Sequence, residues 1–91
     1  MKIFWTPEAL EDRAAIWNYI SEENPNAAIR LDTLFSRALE KLSEHPQIGR
    51  QGLITGTREL IPHKNFRLVY EIDHDTVWIL ALVHVSRMWP P

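Results

Sequence analysis

The run from Val77 to Val85 is apolar at nearly every position, and it constrains the fold more than any other segment of this chain. A run that is apolar on both faces is expected of a central strand in a sheet. The preceding run, Phe66 to Ile72, alternates between apolar and less apolar side chains, which is the pattern of a strand with one buried face. Only Asp73-His74-Asp75 separates the two runs, so the sequence predicts a compact antiparallel hairpin.

Two helix starts of the same kind lie in the first half of the chain. Thr6-Pro7-Glu8 supplies an N-cap, a proline at the first helical position and an acid at the positive end of the dipole; Asn24-Pro25 repeats the first two signals. The first helix is expected to end near 21–23, and the second at His45-Pro46, because a proline disfavours helical geometry in the residue before it. Apolar residues recur at helical spacing in both, namely Leu10, Ala14, Trp17 and Ile20, then Ala28, Leu31, Phe35, Ala38 and Leu42.

These elements define an architecture when they are combined with the rest of the chain. Residues 2–5 are predicted to form a short strand, and 57–62, 66–72 and 76–85 three more. Residues 47–56 contain all three glycines and are predicted to be an exposed loop. The order β-α-α-β-β-β predicts an α+β fold, in which a helical hairpin packs on one side of a small, curved, mostly antiparallel sheet. The length of 91 residues allows one domain, 1–91.

Composition excludes several classes of protein and site. The chain has no cysteine, which excludes a disulfide framework and thiolate metal ligands and favours a reducing compartment. We find no apolar run of about 18 residues and no basic-then-apolar leader, so we expect a cytoplasmic protein without a membrane partner. The four histidines show no short ligand spacing, and no glycine-rich phosphate loop is present. We therefore expect neither a metal nor another cofactor.

Charge is distributed unevenly along the chain. The formal net charge is −2, but the eight acids and six bases before Gly56 give way to four of each after it. A nucleic-acid-binding domain is usually markedly basic, so net charge alone does not indicate one. Cations nevertheless concentrate on the predicted hairpin and the tail, which indicates a site for an anion, most commonly a phosphate backbone. These cations are Arg58, His63, Lys64, Arg67, His84 and Arg87.

Four fragments in this order resemble a known family. They are F-W-T-P-E-A-L-E-D at the start, L-S-E-H-P-Q-I-G-R after the second helix, G-T-R-E-L followed by F-R-L-V-Y-E-I, and V-H-V-S-R-M-W-P at the end. Together they resemble the RelE/ParE superfamily of toxins from bacterial type II toxin–antitoxin modules over nearly the whole chain.

The resemblance implies a toxin that arrests growth and has a cognate antitoxin as its partner. RelE-like members cut mRNA in the ribosomal A site, and ParE-like members poison DNA gyrase. The favoured function at this point is ribosome-dependent mRNA cleavage without a metal, which would make the chain an endoribonuclease. Gyrase inhibition without catalysis is the alternative, and a module that only binds its antitoxin is a third, weaker one.

The resemblance also implies catalytic residues. Cleavage of RNA without a metal requires a base, a cation for the phosphate and an acid. Arg67 matches the arginine before L-V-Y that holds the scissile phosphate in RNA-cleaving relatives. His84 matches the histidine of the family's ending, and His63 is a second candidate for proton transfer. The competing structural interpretations are an ion pair of Arg67 with Glu71 or another carboxylate, and a core position for His84.

Further residues are candidates for contacts to phosphate or base. Arg87, Lys64 and Arg58 are predicted to contact phosphate and Trp89 to stack on a base, although Trp89 is also expected to fold back as a lid on the core. The chain departs from RNA-cleaving relatives in its acidity and in having Trp89 and prolines where some relatives end in a tyrosine. The nuclease interpretation requires that Arg67 and His84 converge in one open pocket.

Overall fold

The computed structural model describes all 91 residues, Met1 to Pro91. A helical hairpin packs on one face of a five-stranded sheet with strand order β1-β5-β4-β3-β2. The β1–β5 pair is parallel and the other pairs are antiparallel, so the predicted α+β fold is confirmed. The elements are β1 (Lys2–Trp5), α1 (Pro7–Glu23), α2 (Pro25–Glu44), β2 (Arg50–Gln51), β3 (Thr57–His63), β4 (Phe66–Asp73) and β5 (Thr76–His84).

One strand was not predicted. Arg50 and Gln51 lie within the glycine-containing stretch that was expected to be a loop, but they pair with Glu59 and Arg58 of β3. Two residues are too few to show a pattern of alternation, so sequence periodicity does not detect β2. It is the edge strand of the sheet on the side away from β1.

Both helix starts are built as the sequence predicts. The Thr6 hydroxyl accepts the N–H of Ala9 at 3.2 Å, and the Asn24 side-chain oxygen accepts the N–H of Ala27 at 3.1 Å. Each cap satisfies a backbone donor that the first turn leaves without a helical partner. Helix α2 ends at Glu44, directly before His45-Pro46.

Only one of the two helices buries the stripe that the sequence predicts. The α2 stripe is confirmed, since Ala28, Leu31, Phe35, Ala38 and Leu42 are all buried. The α1 stripe is not, because Leu10 and Trp17 are 52% and 39% exposed. Of the predicted residues, Ile20 does pack against the core, and it is joined there by Ala9 and Ile16.

Arg13 explains why the α1 stripe was misplaced. It lies on the core-facing side of α1 and joins the two helices, with Nε 2.7 Å and Nη2 3.0 Å from the two carboxylate oxygens of Asp32. Its Nη2 also donates to the Ser36 hydroxyl at 2.9 Å, and its guanidinium lies 5.2 Å from the ring centroid of Trp5. Arg13 thus lies on the inner side of α1, although hydrophobic periodicity places a charged residue on the outer side.

β5 contains a bulge at the point where it is hydrogen-bonded to the start of α1. Tyr70 pairs with Ile79 while Val69 pairs with Ala81, so Leu80 has no partner on β4. The Thr6 hydroxyl donates to the Ile79 carbonyl at 3.1 Å, and an Asp12 carboxylate oxygen accepts the N–H of Leu82 at 3.0 Å. The irregular part of β5 is therefore hydrogen-bonded to α1 and its cap.

Neither helix combines the length and the apolar character that crossing a membrane requires.

Candidate functional site

Arg67 is held by a carboxylate on the neighbouring strand. Its Nη1 lies 3.4 Å from Oε1 of Glu59, and the two side chains are only 13% and 4% exposed. Glu59 pairs with Val69, two residues from Arg67, so both charges lie on the same face of the sheet. Arg50 approaches the same carboxylate oxygen at 3.3 Å from the exposed edge. An ion pair was the competing interpretation of Arg67, but the carboxylate is Glu59 rather than Glu71.

The opposite edge of the Arg67 guanidinium is covered by the C-terminal tail. Its Nη2 donates to the backbone carbonyl of Arg87 at 2.9 Å. Its Nε is buried and has no hydrogen-bond partner. In this arrangement Arg67 connects β4 to the tail and offers no open fork of donors to a phosphate.

His84 lies on the other face of the sheet. It pairs with Phe66, and the two ring centroids are 5.4 Å apart. Phe66 belongs to the core that packs against the helices, with its ring 5.7 Å from that of Phe35. Since neighbouring residues of a strand point to opposite faces, Arg67 points away from His84. The two side chains do not converge in one pocket, contrary to the expectation from the sequence.

His63 and His84 are instead related to each other. Both pair with Phe66, one from each neighbouring strand, and the His63 ring centroid lies 6.0 Å from that of Phe66. In each histidine Nδ1 accepts a backbone N–H from two residues further on, Asn65 and Ser86 respectively, at 3.1 Å. A backbone N–H can only donate, so each neutral ring carries its hydrogen on Nε2. In this tautomer Nε2 of each ring is a hydrogen-bond donor and has no lone pair with which to accept a proton.

The remaining predicted residues lie at both ends of the hairpin. The exposed Lys64 lies in the turn after β3, and Arg87 is exposed in the tail beside a partly buried Trp89. Arg58 is fixed near the other end of β3, where its Nη1 donates to the carbonyls of Gln47 and Gly49 at 3.2 and 2.9 Å. The predicted cations are thus spread over both faces and both ends of the hairpin.

Arg67, Glu59 and Arg50 form a charged cluster. The sequence analysis missed two of these residues, Glu59 and Arg50. The signal for Glu59 was its position in T-R-E-L, where an acid stands inside a predicted strand. Charged residues are almost never fully buried unless they are paired, so an acid there indicates a basic neighbour. Which base it meets depends on strand register, which the sequence did not provide.

Tyr70 is hydrogen-bonded to the loop between α2 and β2, beside this cluster. Its hydroxyl donates to the Pro46 carbonyl at 2.6 Å and accepts the N–H of Gly49 at 2.9 Å. Burial raises the pKa of the Tyr70 phenol, while the Gly49 hydrogen bond and the charge of Arg58 act in the opposite direction. The loop between α2 and β2 is thereby attached to the centre of the core.

A helical hairpin on one face of this mixed sheet is the fold of RelE/ParE-like toxins. The chain belongs to the ParE toxin family of type II toxin–antitoxin systems, because the family model described as "ParE toxin of type II toxin-antitoxin system, parDE" matches residues 3–89.

Individual relatives agree with this assignment over almost their full length. A protein named toxin Y4kP from Sinorhizobium fredii is 37% identical over 90 residues, covering 98% of this chain and 93% of the relative. Toxin RelE2 of Caulobacter vibrioides is 34% identical over 88 residues, covering 96% and 98%. Among solved structures, a chain of the chromosomal ParDE system from P. aeruginosa superposes with a TM-score of 0.81 at 21% identity, covering 93% and 96%.

Proposed function

We propose that this toxin inhibits DNA gyrase by binding it and does not cut RNA. The observation that carries the proposal is the engagement of Arg67 by Glu59 and by the Arg87 carbonyl. The family model that matches the chain is that of ParE toxins, and the resemblance of the sequence to ParE-like proteins implies gyrase as their target.

The state of Arg67 argues against phosphate chemistry at this position. A nuclease requires a cation that is free to stabilise the charge that develops on the phosphate. Arg67 would have to leave a buried carboxylate to do so, and breaking a buried ion pair typically costs about 3–5 kcal/mol. Such a cost raises the barrier of a reaction that the arginine is supposed to accelerate.

The state of the two histidines argues in the same direction. General base catalysis requires a lone pair on the nitrogen that faces the substrate. In His63 and His84 the lone pair lies on Nδ1 and already accepts a backbone hydrogen bond. Neither ring is set up to remove a proton from a ribose hydroxyl.

We also propose a cognate antitoxin as a partner. This follows from membership of a family that is defined by toxin–antitoxin systems, and from the similarity to a chain of a ParDE system. A small antitoxin with a disordered segment that folds onto the toxin is the expected form.

Ribosome-dependent mRNA cleavage is the second candidate function. It is favoured by the 34% identity to a protein named RelE2 and by the presence of two histidines in one row across the sheet. In this alternative His84 takes part in proton transfer, His63 assists it, and Arg67, Arg87, Lys64, Arg58 and Trp89 supply contacts to RNA.

Purified toxin and controlled expression together distinguish the two functions. We expect the toxin to block supercoiling by gyrase in vitro, and its expression to induce the SOS response while transcripts stay intact. His84→Ala should remain as toxic as its matched control His74→Ala, since His74 is an exposed turn residue. Unimpaired supercoiling, together with A-site cuts that disappear in His84→Ala alone, would establish cleavage and refute the proposal.

A further inference from the structure

A polar cleft lies beside the loop that precedes β3, and its lining does not include Arg67, His63 or His84. Its volume is about 420 Å³, and residues 51–58 supply most of its lining, together with Gln47 and Ile72. This volume is within the range of about 300–1,000 Å³ that is typical of ligand sites. None of the lining residues is acidic.

Arg58 gives this cleft an uncompensated positive charge. Its Nη1 is fixed by the carbonyls of Gln47 and Gly49, while no carboxylate lies within 4.0 Å of its guanidinium. By contrast, Arg50 and Arg67, on the flanking strands, share Glu59. Arg58 is thus held in place by neutral groups, and its Nε and Nη2 donate to no group of the protein.

The loop adds backbone donors to this charge. The N–H groups of residues 53–56 donate to no group of the protein, whereas those of Gly52 and Thr57 on either side bond within the loop. Residues 54–57 form a β-turn in which the Thr57 N–H donates to the Ile54 carbonyl at 3.0 Å, and Gly56 supplies the positive φ of +90 at its third position. Successive free N–H groups in such turns form concave sites for anionic oxygens.

The rim of the cleft determines what kind of anion fits. Leu53 and Ile54 are 76% and 41% exposed, so two aliphatic side chains stand beside the donors. No aromatic residue lines the cleft. Binding of single-stranded nucleic acid depends largely on stacking of bases on aromatic rings, which this surface does not offer. A carboxylate next to an aliphatic side chain matches both the hydrogen-bond donors of the cleft and the aliphatic side chains of its rim.

We propose that this cleft binds an acidic peptide segment of a protein partner. A carboxylate of the peptide lies against Arg58 and the N–H groups of the loop, and an aliphatic neighbour packs on Leu53 and Ile54. The inference does not rest on the proposed function, and it shares only Arg58 with the second candidate function, because Arg67, His63 and His84 lie outside the cleft.

The test is an NMR titration of the isotope-labelled full-length chain with two capped tripeptides, acetyl-Leu-Glu-Leu-amide and acetyl-Leu-Gln-Leu-amide. We expect the acidic peptide to shift the amide signals of residues 53–56 and the Nε–H signal of Arg58, and the neutral peptide to bind about tenfold more weakly or less. Equal shifts with both peptides would overturn the role of the carboxylate.

Variants and competing probes complete the test. Arg58→Gln should weaken binding of the acidic peptide about tenfold or more, while Arg30→Gln, an exposed arginine of α2, should not change it. Leu53→Ser alters only an exposed side chain, so it keeps the test valid if Arg58→Gln does not fold, and it should weaken binding of the peptide. Inorganic phosphate that binds as strongly as the peptide, or an octathymidylate that alone shifts these signals, would refute a peptide site.

Discussion

The Glu59 carboxylate lies 3.4 Å from Nη1 of Arg67, and both side chains are buried between neighbouring strands. The pair lies on the face of the sheet that the helices do not cover, with Arg50 at its exposed edge and the Arg87 carbonyl on its other side. An arginine that the sequence associates with phosphate therefore also has a structural function in this chain.

Removal of Arg67 should destabilise the fold. In Arg67→Ala the Glu59 carboxylate stays buried without its main partner, so we expect the free energy of unfolding to fall by about 3–5 kcal/mol. The double variant Glu59→Leu with Arg67→Met removes both charges and should recover most of this loss. Arg50→Ala is the matched control and should cost under about 1 kcal/mol, because Arg50 is largely exposed. Urea denaturation measures all three; an Arg67→Ala protein as stable as Arg50→Ala would contradict the prediction.

Gly49→Ala should be destabilising because its Cβ has no room. A Cβ there would lie 2.6 Å from the Tyr70 hydroxyl oxygen and 2.9 Å from the Glu59 carbonyl oxygen. We expect a loss of about 1–3 kcal/mol, typical of overpacking. Removing the hydroxyl in Tyr70→Phe relieves part of the clash, so a double-mutant cycle should give less than the sum of the single effects. Strictly additive losses would show that the alanine does not meet Tyr70.

Stability should fall in alkaline solution because of Tyr70. Burial raises its pKa above the ordinary value of 10.0, so the folded state holds the phenol proton more tightly than the unfolded chain does. The stabilisation is fully present below about pH 10 and is lost as the pH rises towards the folded-state pKa. Chemical denaturation across this range should show a shallower loss in Tyr70→Phe. Tyr19→Phe is the control, since Tyr19 is 80% exposed, and it should behave as the wild type.

The bulge in β5 should depend on Asp12. Asp12→Ala leaves the Leu82 N–H without its acceptor, and an unsatisfied buried donor costs about 1–3 kcal/mol. Asp12→Asn keeps a carbonyl oxygen at the same position and should lose less. Hydrogen exchange of the Leu82 amide should accelerate in Asp12→Ala but not in Glu11→Ala, a change of the exposed neighbouring acid. Unchanged protection of Leu82 in Asp12→Ala would show that the carboxylate is dispensable.

Local signals in the sequence predicted most of the fold because each depends on residues that are close in the chain. Thr6 and Asn24 cap the helices, the α2 stripe is buried, and the turn between β4 and β5 contains His74 with a positive φ of 56. The failures depend on distant contacts. The inward position of Arg13 depends on Asp32 of the other helix.

The candidate site shows the same division. The sequence predicted correctly that Arg67 lies in the strand that follows Asn65, but its partner Glu59 and the face occupied by His84 follow from strand register. Irregular pairing between Leu60 and His63 in β3, and between Val69 and Tyr70 in β4, makes that register impossible to count from the sequence. The sequence pattern therefore predicted the strands and the cations on them. Which of these cations lie close together depends on the pairing of the strands.

The parallel pairing of β1 with β5 has a consequence for the order in which the sheet forms. Lys2 pairs with Thr76 and Trp5 with Ile79, so β1 pairs only with the strand that is most distant from it along the chain. Until these two segments meet, β1 has no neighbouring strand and the five-stranded sheet is incomplete. Because such non-local pairing requires the closure of a long loop before its contacts form, we expect completion of the sheet to be a late and slow step of folding.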